Sequence, residues 1–255
     1  MLEWFFGDFS ALQIAVLAIG ALIIGINKTA IPALGALVVV MFTQFFPPHI
    51  ASAAVLPLLC CGDLLAVTWY RRQANWNFVF KLLPWALVGL MLGMLVVRCI
   101  DNTNVLGIVI AGIILGVQLL SLSRGVMQKK IDLWRGSTAM AAVFGILAGF
   151  TTQVANAAGP VMAIYLVLMK FSKEEYIGSA AWYFLILNWL KLPLFALDGR
   201  LTWEVLKIVP GVLIFLVIGS AAGLLFLRNI SQKSFTTIVQ ILTALCALRL
   251  LWLNI

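Results

Sequence analysis

Charge is what this sequence lacks most. Of its 255 residues only 10% are Asp, Glu, Lys or Arg, while 64% are hydrophobic, and the mean hydropathy is +1.11. A soluble domain carries about 25% charged residues on a surface that faces water, so the composition excludes one. The sequence therefore predicts an integral membrane protein whose surroundings are a lipid bilayer.

The chain is also poor in residues that bind metals or perform catalysis. It has one histidine, His49, and four cysteines that lie in or beside apolar stretches: Cys60, Cys61, Cys99 and Cys246. This argues against a disulfide framework and against haem or zinc, and no nucleophile–base pair indicates an enzyme. The net charge of +8 lies in short loops between apolar segments, which indicates membrane orientation rather than nucleic-acid binding. We expect no cofactor, no metal and no enzymatic activity.

The pattern of apolar runs predicts an all-α fold of about ten helical segments. They cover residues 9–26, 30–44, 49–70, 78–98, 104–122, 136–150, 157–170, 174–197, 203–227 and 234–253. Several reach the ~20 residues needed to cross a bilayer, but segments 30–44 and 157–170 do not. Each of these two follows a polar break, at residues 25–32 and 149–160. Such segments are typical of short or re-entrant helices whose irregular ends are shielded by protein.

The chain also repeats itself. Lys81, Pro84 and Gly93 recur 126 positions later as Lys207, Pro210 and Gly219, and Pro32 recurs 128 positions later as Pro160. Each half contains five segments, and an odd number reverses the second copy relative to the membrane. We therefore predict two inverted-topology repeats, residues 1–128 and 129–255, within one transmembrane domain.

Loop charges predict the orientation. With the N-terminus outside, ten Lys and Arg residues fall in cytoplasmic turns, whereas the outer turns keep only Arg98 and Arg200. This distribution follows the positive-inside rule. Both termini are therefore predicted to lie outside.

The two polar breaks are the candidate solute site. A helix that begins inside the protein presents unpaired N–H groups and the positive end of its dipole, which together favour an anion. We expect segments that begin near Thr29 and Ala157 to face one cavity, with Pro32 and Pro160 inside their first turns. The helix-break residues are Gly25, Pro32, Gly149, Gly159 and Pro160, and the predicted oxyanion donors are Asn27, Lys28, Thr29, Thr151, Thr152, Gln153 and Asn156. The alternative is ordinary polar turns at the membrane interface.

Three charged residues lie in or beside apolar segments. Lys28 either balances the charge of a solute or snorkels to the cytoplasmic surface. Lys191 shares a helix face with Asn188, three residues before it, and either lies buried or snorkels outward. Asp63 is the only acid deep in an apolar segment. It either carries a proton or pairs with a lysine.

These residues resemble the TauE/SafE family of sulfite exporters. The likeness rests on the first break through Lys28 and Pro32, on residues 51–54, on the Arg71–Arg72 turn, on residues 156–160, and on Asn188 with Lys191. It spans nearly the whole chain. The resemblance implies a bacterial inner-membrane permease that moves small sulfur-containing anions such as sulfite or organosulfonates.

The predicted function is a secondary carrier of such anions, working by alternating access around a midplane site. Alternatives are a proton-coupled carrier of another small anion, and a cation or metal carrier that uses Asp63 with Cys60 and Cys61. The expected partners are a small anionic solute and lipid, and a homodimer is left open.

Overall fold

The computed structural model describes residues 9–31, 34–46, 48–99, 108, 112–116, 119, 133–197 and 199–254. Over these residues the chain is helical and contains no strand. Nine helices have their bounds within the described residues: α1 (Ala11–Thr29), α2 (Gly35–Thr43), α3 (Pro48–Tyr70), α4 (Trp76–Cys99), α5 (Thr138–Ala155), α6 (Ala158–Leu168), α7 (Lys173–Leu197), α8 (Trp203–Asn229) and α9 (Gln232–Asn254). Residues 112–116 are helical too, but most of the predicted segment 104–122 lies outside the described residues, as does Pro32.

Helix lengths match a membrane protein. Within the described ranges, α1, α3, α4, α5, α7 and α8 are long and apolar enough to cross a bilayer. The two predicted short segments are confirmed as short, since α2 has 9 residues and α6 has 11. At ~1.5 Å per residue they cover only about half of a ~30 Å hydrocarbon core. The chain is therefore a multi-pass membrane protein with two half-length helices.

Both breaks lie further along the chain than expected. The helix α1 continues to Thr29 and α5 to Ala155, so Gly25 and Gly149 lie inside continuous helices. The polar side chains bond to their own helix instead of ending it: the Thr29 hydroxyl donates to the Gly25 carbonyl at 2.9 Å. The Thr151 hydroxyl donates to the carbonyl of Leu147 at 2.8 Å in the same way. The polarity of a residue does not reveal whether its side chain ends a helix or bonds back to it in this manner.

Two pairs of helices run parallel in close contact. Along α1 and α8, Leu22 meets Gly219 and, one turn later, Ile26 meets Gly223. Along α4 and α5, Leu82 meets Gly145 and, one turn later, Ala86 meets Gly149. A Cβ atom at Gly219 would lie 2.8 Å from the backbone carbon of Leu22, a separation that real Cβ atoms do not show. Glycine therefore sets the distance between these helices.

The long helices α3 and α7 cross in opposite directions. Val67 in α3 packs near Ala181 in α7, and Cys60 packs against Phe195 further along. Asp63 and Asn188 meet between these two contacts. Both residues lie about one helical turn from the middle of their helices.

The interior consists of two large apolar clusters. One is built from α1, α2, α3 and α8, and the other mainly from α4, α5, α6, α7 and α9. The polar residues of α1 and α3 therefore meet those of α5 and α7 at the seam between the clusters.

Candidate functional site

An ion pair lies at the end of α1. The Lys28 ammonium is 2.6 Å from Oδ1 of Asp63, and the two side chains are 5% and 0% exposed. The same ammonium lies 4.5 Å from the centre of the Phe184 ring, a cation–π contact. Lys28 also occupies the last turn of its helix, where the carbonyl ends favour a cation. Lys28 thus lies buried in a pair, and Asp63 is its partner.

Asn188 extends this pair across to α7. Its Nδ2 donates to Oδ2 of Asp63 at 2.7 Å. A carboxylate only accepts hydrogen bonds, so this contact fixes which end of the amide faces Asp63. The other end, Oδ1 of Asn188, is buried and has no hydrogen-bond partner among the described residues. One buried acceptor is left unused.

Lys191 lies fully buried, one turn after Asn188 on α7. Its ammonium donates to the Thr152 carbonyl at 2.9 Å, to the Thr152 hydroxyl at 3.2 Å, and to Oδ1 of Asn156. All three acceptors are neutral. Lys191 therefore differs from Lys28, because no carboxylate among these partners offsets its charge.

Asn156 and Asn27 shape the ends of the two breaks. Asn156 ends α5 in the left-handed conformation, with φ 51° and ψ 30°, which Asn adopts more readily than other non-glycine residues. Across the seam, Oδ1 of Asn27 accepts from the Gly35 N–H at 2.9 Å, at the first residue of α2. The helix α6 begins at Ala158 without a side-chain cap. Two helix N-termini therefore point toward the same region.

A small cavity lies between these groups. Its volume is about 20 Å³, which holds about one water molecule. The cavity is lined by Asn27, Lys28, Gly35, Leu59, Thr152, Asn156, Gly159, Phe184 and Asn188. Five of the nine predicted solute-binding residues line it. A sixth, Lys191, donates hydrogen bonds to two of the lining residues, Thr152 and Asn156.

Three lining residues were not predicted. Leu59 and Phe184 lie one turn before Asp63 and Asn188, on the same helix faces, so i to i+4 spacing could have identified them. Gly35 opens α2, and no sequence signal distinguished it from other glycines.

The remaining predicted residues lie beside the cavity rather than around it. The Thr29 hydroxyl bonds to the Ser220 carbonyl of α8 at 3.0 Å, and Thr151 bonds within α5. Gln153 packs against Gly93, and its Oε1 is buried without a partner in the described part of the chain. Pro160 is buried in the first turn of α6, where its missing N–H leaves no bond unmade.

The cysteines do not form a metal site with Asp63. Cys60 packs with Phe195, while Cys61 packs against the cluster built from α1, α2, α3 and α8. Over the described ranges, no group of three or more His, Cys, Asp or Glu side chains could hold a metal ion.

A protein-family model matches nearly the whole chain. Residues 16–250 match the family model described as "Sulfite exporter TauE/SafE". No curated protein and no solved structure matches the chain.

Proposed function

The chain belongs to the TauE/SafE sulfite exporter family, and from this premise we propose that it is a secondary carrier of small sulfur-containing oxyanions. Sulfite is the first candidate substrate, and small organosulfonates are the second. The solute would bind at the seam between the two apolar clusters, in an enlarged form of the cavity described above. An enzymatic activity is not part of the proposal.

The observation that carries this proposal is the complete burial of the Lys191 ammonium group among neutral acceptors. A buried cation without a counter-ion is costly in a membrane interior, by about 2.5–3.5 kcal/mol on insertion scales. Three neutral oxygens reduce this cost but supply no negative charge. An anion beside Thr152 and Asn156 offsets the charge of Lys191. The cost of burying this charge is therefore lower when a solute is bound.

Helix ends give further support. Gly35 and Gly159 stand in the first turns of α2 and α6, and both line the cavity. The Gly35 N–H is already bonded to Asn27, whereas the first turn of α6 has no side-chain cap. The uncapped N–H groups of α6 and the dipoles of both helices favour an oxyanion at this position without additional charged side chains.

Contacts within the fold support an inverted repeat. Ser10 and Ser137 cap α1 and α5, and they lie 127 positions apart. Asn75 and Thr202 cap α4 and α8 with the same separation. The close contacts of the parallel pairs also correspond, since Gly93 meets Gln153 as Gly219 meets Gly25. The proposed repeats exchange their fourth helix, so that α8 packs on α1 and α4 packs on α5.

The repeat explains why the two lysines differ. Asn156 and Lys191 lie 128 positions after Lys28 and Asp63, respectively, so the bonded pairs occupy equivalent places. In the first repeat the break carries the cation and the long helix carries a carboxylate. In the second the break carries an amide and the long helix carries the cation. One half is electrically balanced by itself, and the other half takes its negative charge from the solute.

Transport requires the site to open. A cavity of about 20 Å³ admits about one water, which is less than an oxyanion needs. We propose that one repeat rocks against the other and exposes the seam to each side in turn. We propose a bacterial inner-membrane location because the family resemblance implies one, and the loop charges support an orientation with both termini outside.

Sulfite flux in proteoliposomes tests the proposal. We expect the wild-type protein to move sulfite and the Lys191→Met variant to lose at least 90% of the rate, that is about tenfold or more. Lys233→Met is the matched control, because Lys233 is exposed at the start of α9. The proposal would be contradicted if the wild-type protein moved no sulfite, or if wild type and Lys191→Met moved sulfite at equal rates.

A further inference from the structure

Asn188 has a buried hydrogen-bond acceptor without a partner among the described residues, and this acceptor indicates which hydrogen-bonding group the solute carries. Asn188 is 1% exposed, lines the cavity, and has its amide orientation fixed by Asp63. Its Oδ1 is therefore a hydrogen-bond acceptor that cannot be exchanged for a donor by an amide flip. A buried acceptor without a donor is costly, and the cavity beside it has room for about one water.

The charges around the cavity limit the solute as well. Among the described residues, the buried charged side chains are Lys28, Asp63 and Lys191. In their ordinary ionised forms they carry a net charge of +1. Arg200 stacks on the Phe195 ring at 3.8 Å but is partly exposed, so water and salt screen its charge. The thiol of Cys60 adds no charge in its ordinary neutral form. A monoanion neutralises this set, whereas a dianion overcompensates it.

We propose that the site selects a monoanion that carries its own proton, a hydrogen oxyanion such as hydrogensulfite, over dianions and over monoanions without a proton. The oxygens of the solute accept from the first turns of α2 and α6 and offset the charge of Lys191. Its single proton is donated to Oδ1 of Asn188. This inference rests on the proposed function and specifies the protonation state of its substrate.

Chlorate is the appropriate comparison for sulfite. It has the same pyramidal arrangement of three oxygens and one lone pair, but it is a monoanion at every accessible pH and carries no proton. A titration of protein groups would alter the binding of both anions, whereas protonation of the solute alters only the binding of sulfite.

The experiment measures competition with labelled sulfite on the purified full chain, under nitrogen, at about pH 6 and about pH 8.5. We expect the apparent affinity for sulfite to fall about tenfold for each pH unit above its second ionisation. Chlorate should bind roughly 5- to 150-fold more weakly than sulfite at about pH 6, because it leaves the buried acceptor unpaired. The Asn188→Leu variant should bind sulfite and chlorate with similar affinities. The Lys233→Met variant should keep the wild-type preference for sulfite.

Each other outcome overturns a defined statement. If chlorate equals sulfite at about pH 6, or sulfite binds more tightly as pH rises, the inference is wrong while the proposed function stands. If neither anion binds at either pH, the proposed function fails and the inference fails with it. Because the comparison of anions uses wild-type protein, it holds even if Asn188→Leu does not fold.

Discussion

The Lys28–Asp63 pair offers the sharpest test of the structure itself. At a nitrogen–oxygen distance of 2.6 Å, an effective dielectric constant of about 20 gives a gross attraction of about 6 kcal/mol. Much of this is offset by desolvation, but removal of one partner from a buried pair typically costs about 3–5 kcal/mol. The Asp63→Asn substitution leaves a buried cation without a carboxylate, so we expect a loss of that size in the free energy of unfolding.

Thermal unfolding of the purified protein in detergent measures this loss. At about 2–4 °C per kcal/mol for a chain of this size, the expected fall in Tm is roughly 6–20 °C. The double variant Lys28→Met with Asp63→Leu removes both charges and should recover most of the stability, within about 1 kcal/mol of wild type. Glu204→Gln is the control, since Glu204 is an exposed acid at the start of α8.

A specific result would refute the ion-pair reasoning. If Asp63→Asn melts with the wild type, Asp63 carries a proton in the resting protein and Lys28 has no carboxylate partner. If the double variant is destabilised by the sum of the two single losses, the residues are not coupled. The first result would favour the interpretation of Asp63 as a proton carrier.

Three further predictions concern packing and backbone, and thermal unfolding measures all of them. Gly219→Ala should cost about 1–3 kcal/mol because its Cβ meets the Leu22 backbone, while Gly116→Ala, with nothing within 4 Å of its Cβ, should be neutral or slightly stabilising; equal effects would contradict the close helix contact. Asn156→Gly should be more stable than Asn156→Ala by about 1–2 kcal/mol, because alanine is strained at φ 51°; the reverse order would refute the left-handed cap. Ser137→Ala should cost about 1 kcal/mol through loss of the α5 cap, and an unchanged Tm would exclude that bond.

Much of the fold follows from the sequence, since apolar length predicts helices. All nine described helices coincide with predicted segments, and both short ones are short. The predicted ends of α1 and α5 come too early in the chain. A run of polar residues looks the same in a sequence whether its side chains end a helix or bond back to carbonyls of that helix. Thr29 and Thr151 do the latter.

The candidate site was predicted by residue type but not by pairing. Buried charge in an apolar chain identified Lys28, Asp63 and Lys191, because such residues are rarely placed there without function. Which lysine meets the acid depends on how α3 packs against α1, which carries Lys28, and against α7, which carries Lys191. Periodicity contains no information on that packing. Lining residues with apolar side chains, such as Leu59 and Phe184, give no chemical signal in a sequence that is 64% hydrophobic. Only their i to i+4 spacing from Asp63 and Asn188 indicates them.

Direct binding of sulfite to purified protein tests the central claim that Lys191 takes its counter-charge from the solute. The measurement is the affinity of labelled sulfite for wild type, Lys191→Met and Lys233→Met at one pH and one salt concentration. The account predicts that Lys191→Met binds sulfite at least tenfold more weakly, while Lys233→Met binds it as the wild type does. Wild-type affinity in Lys191→Met would contradict the account.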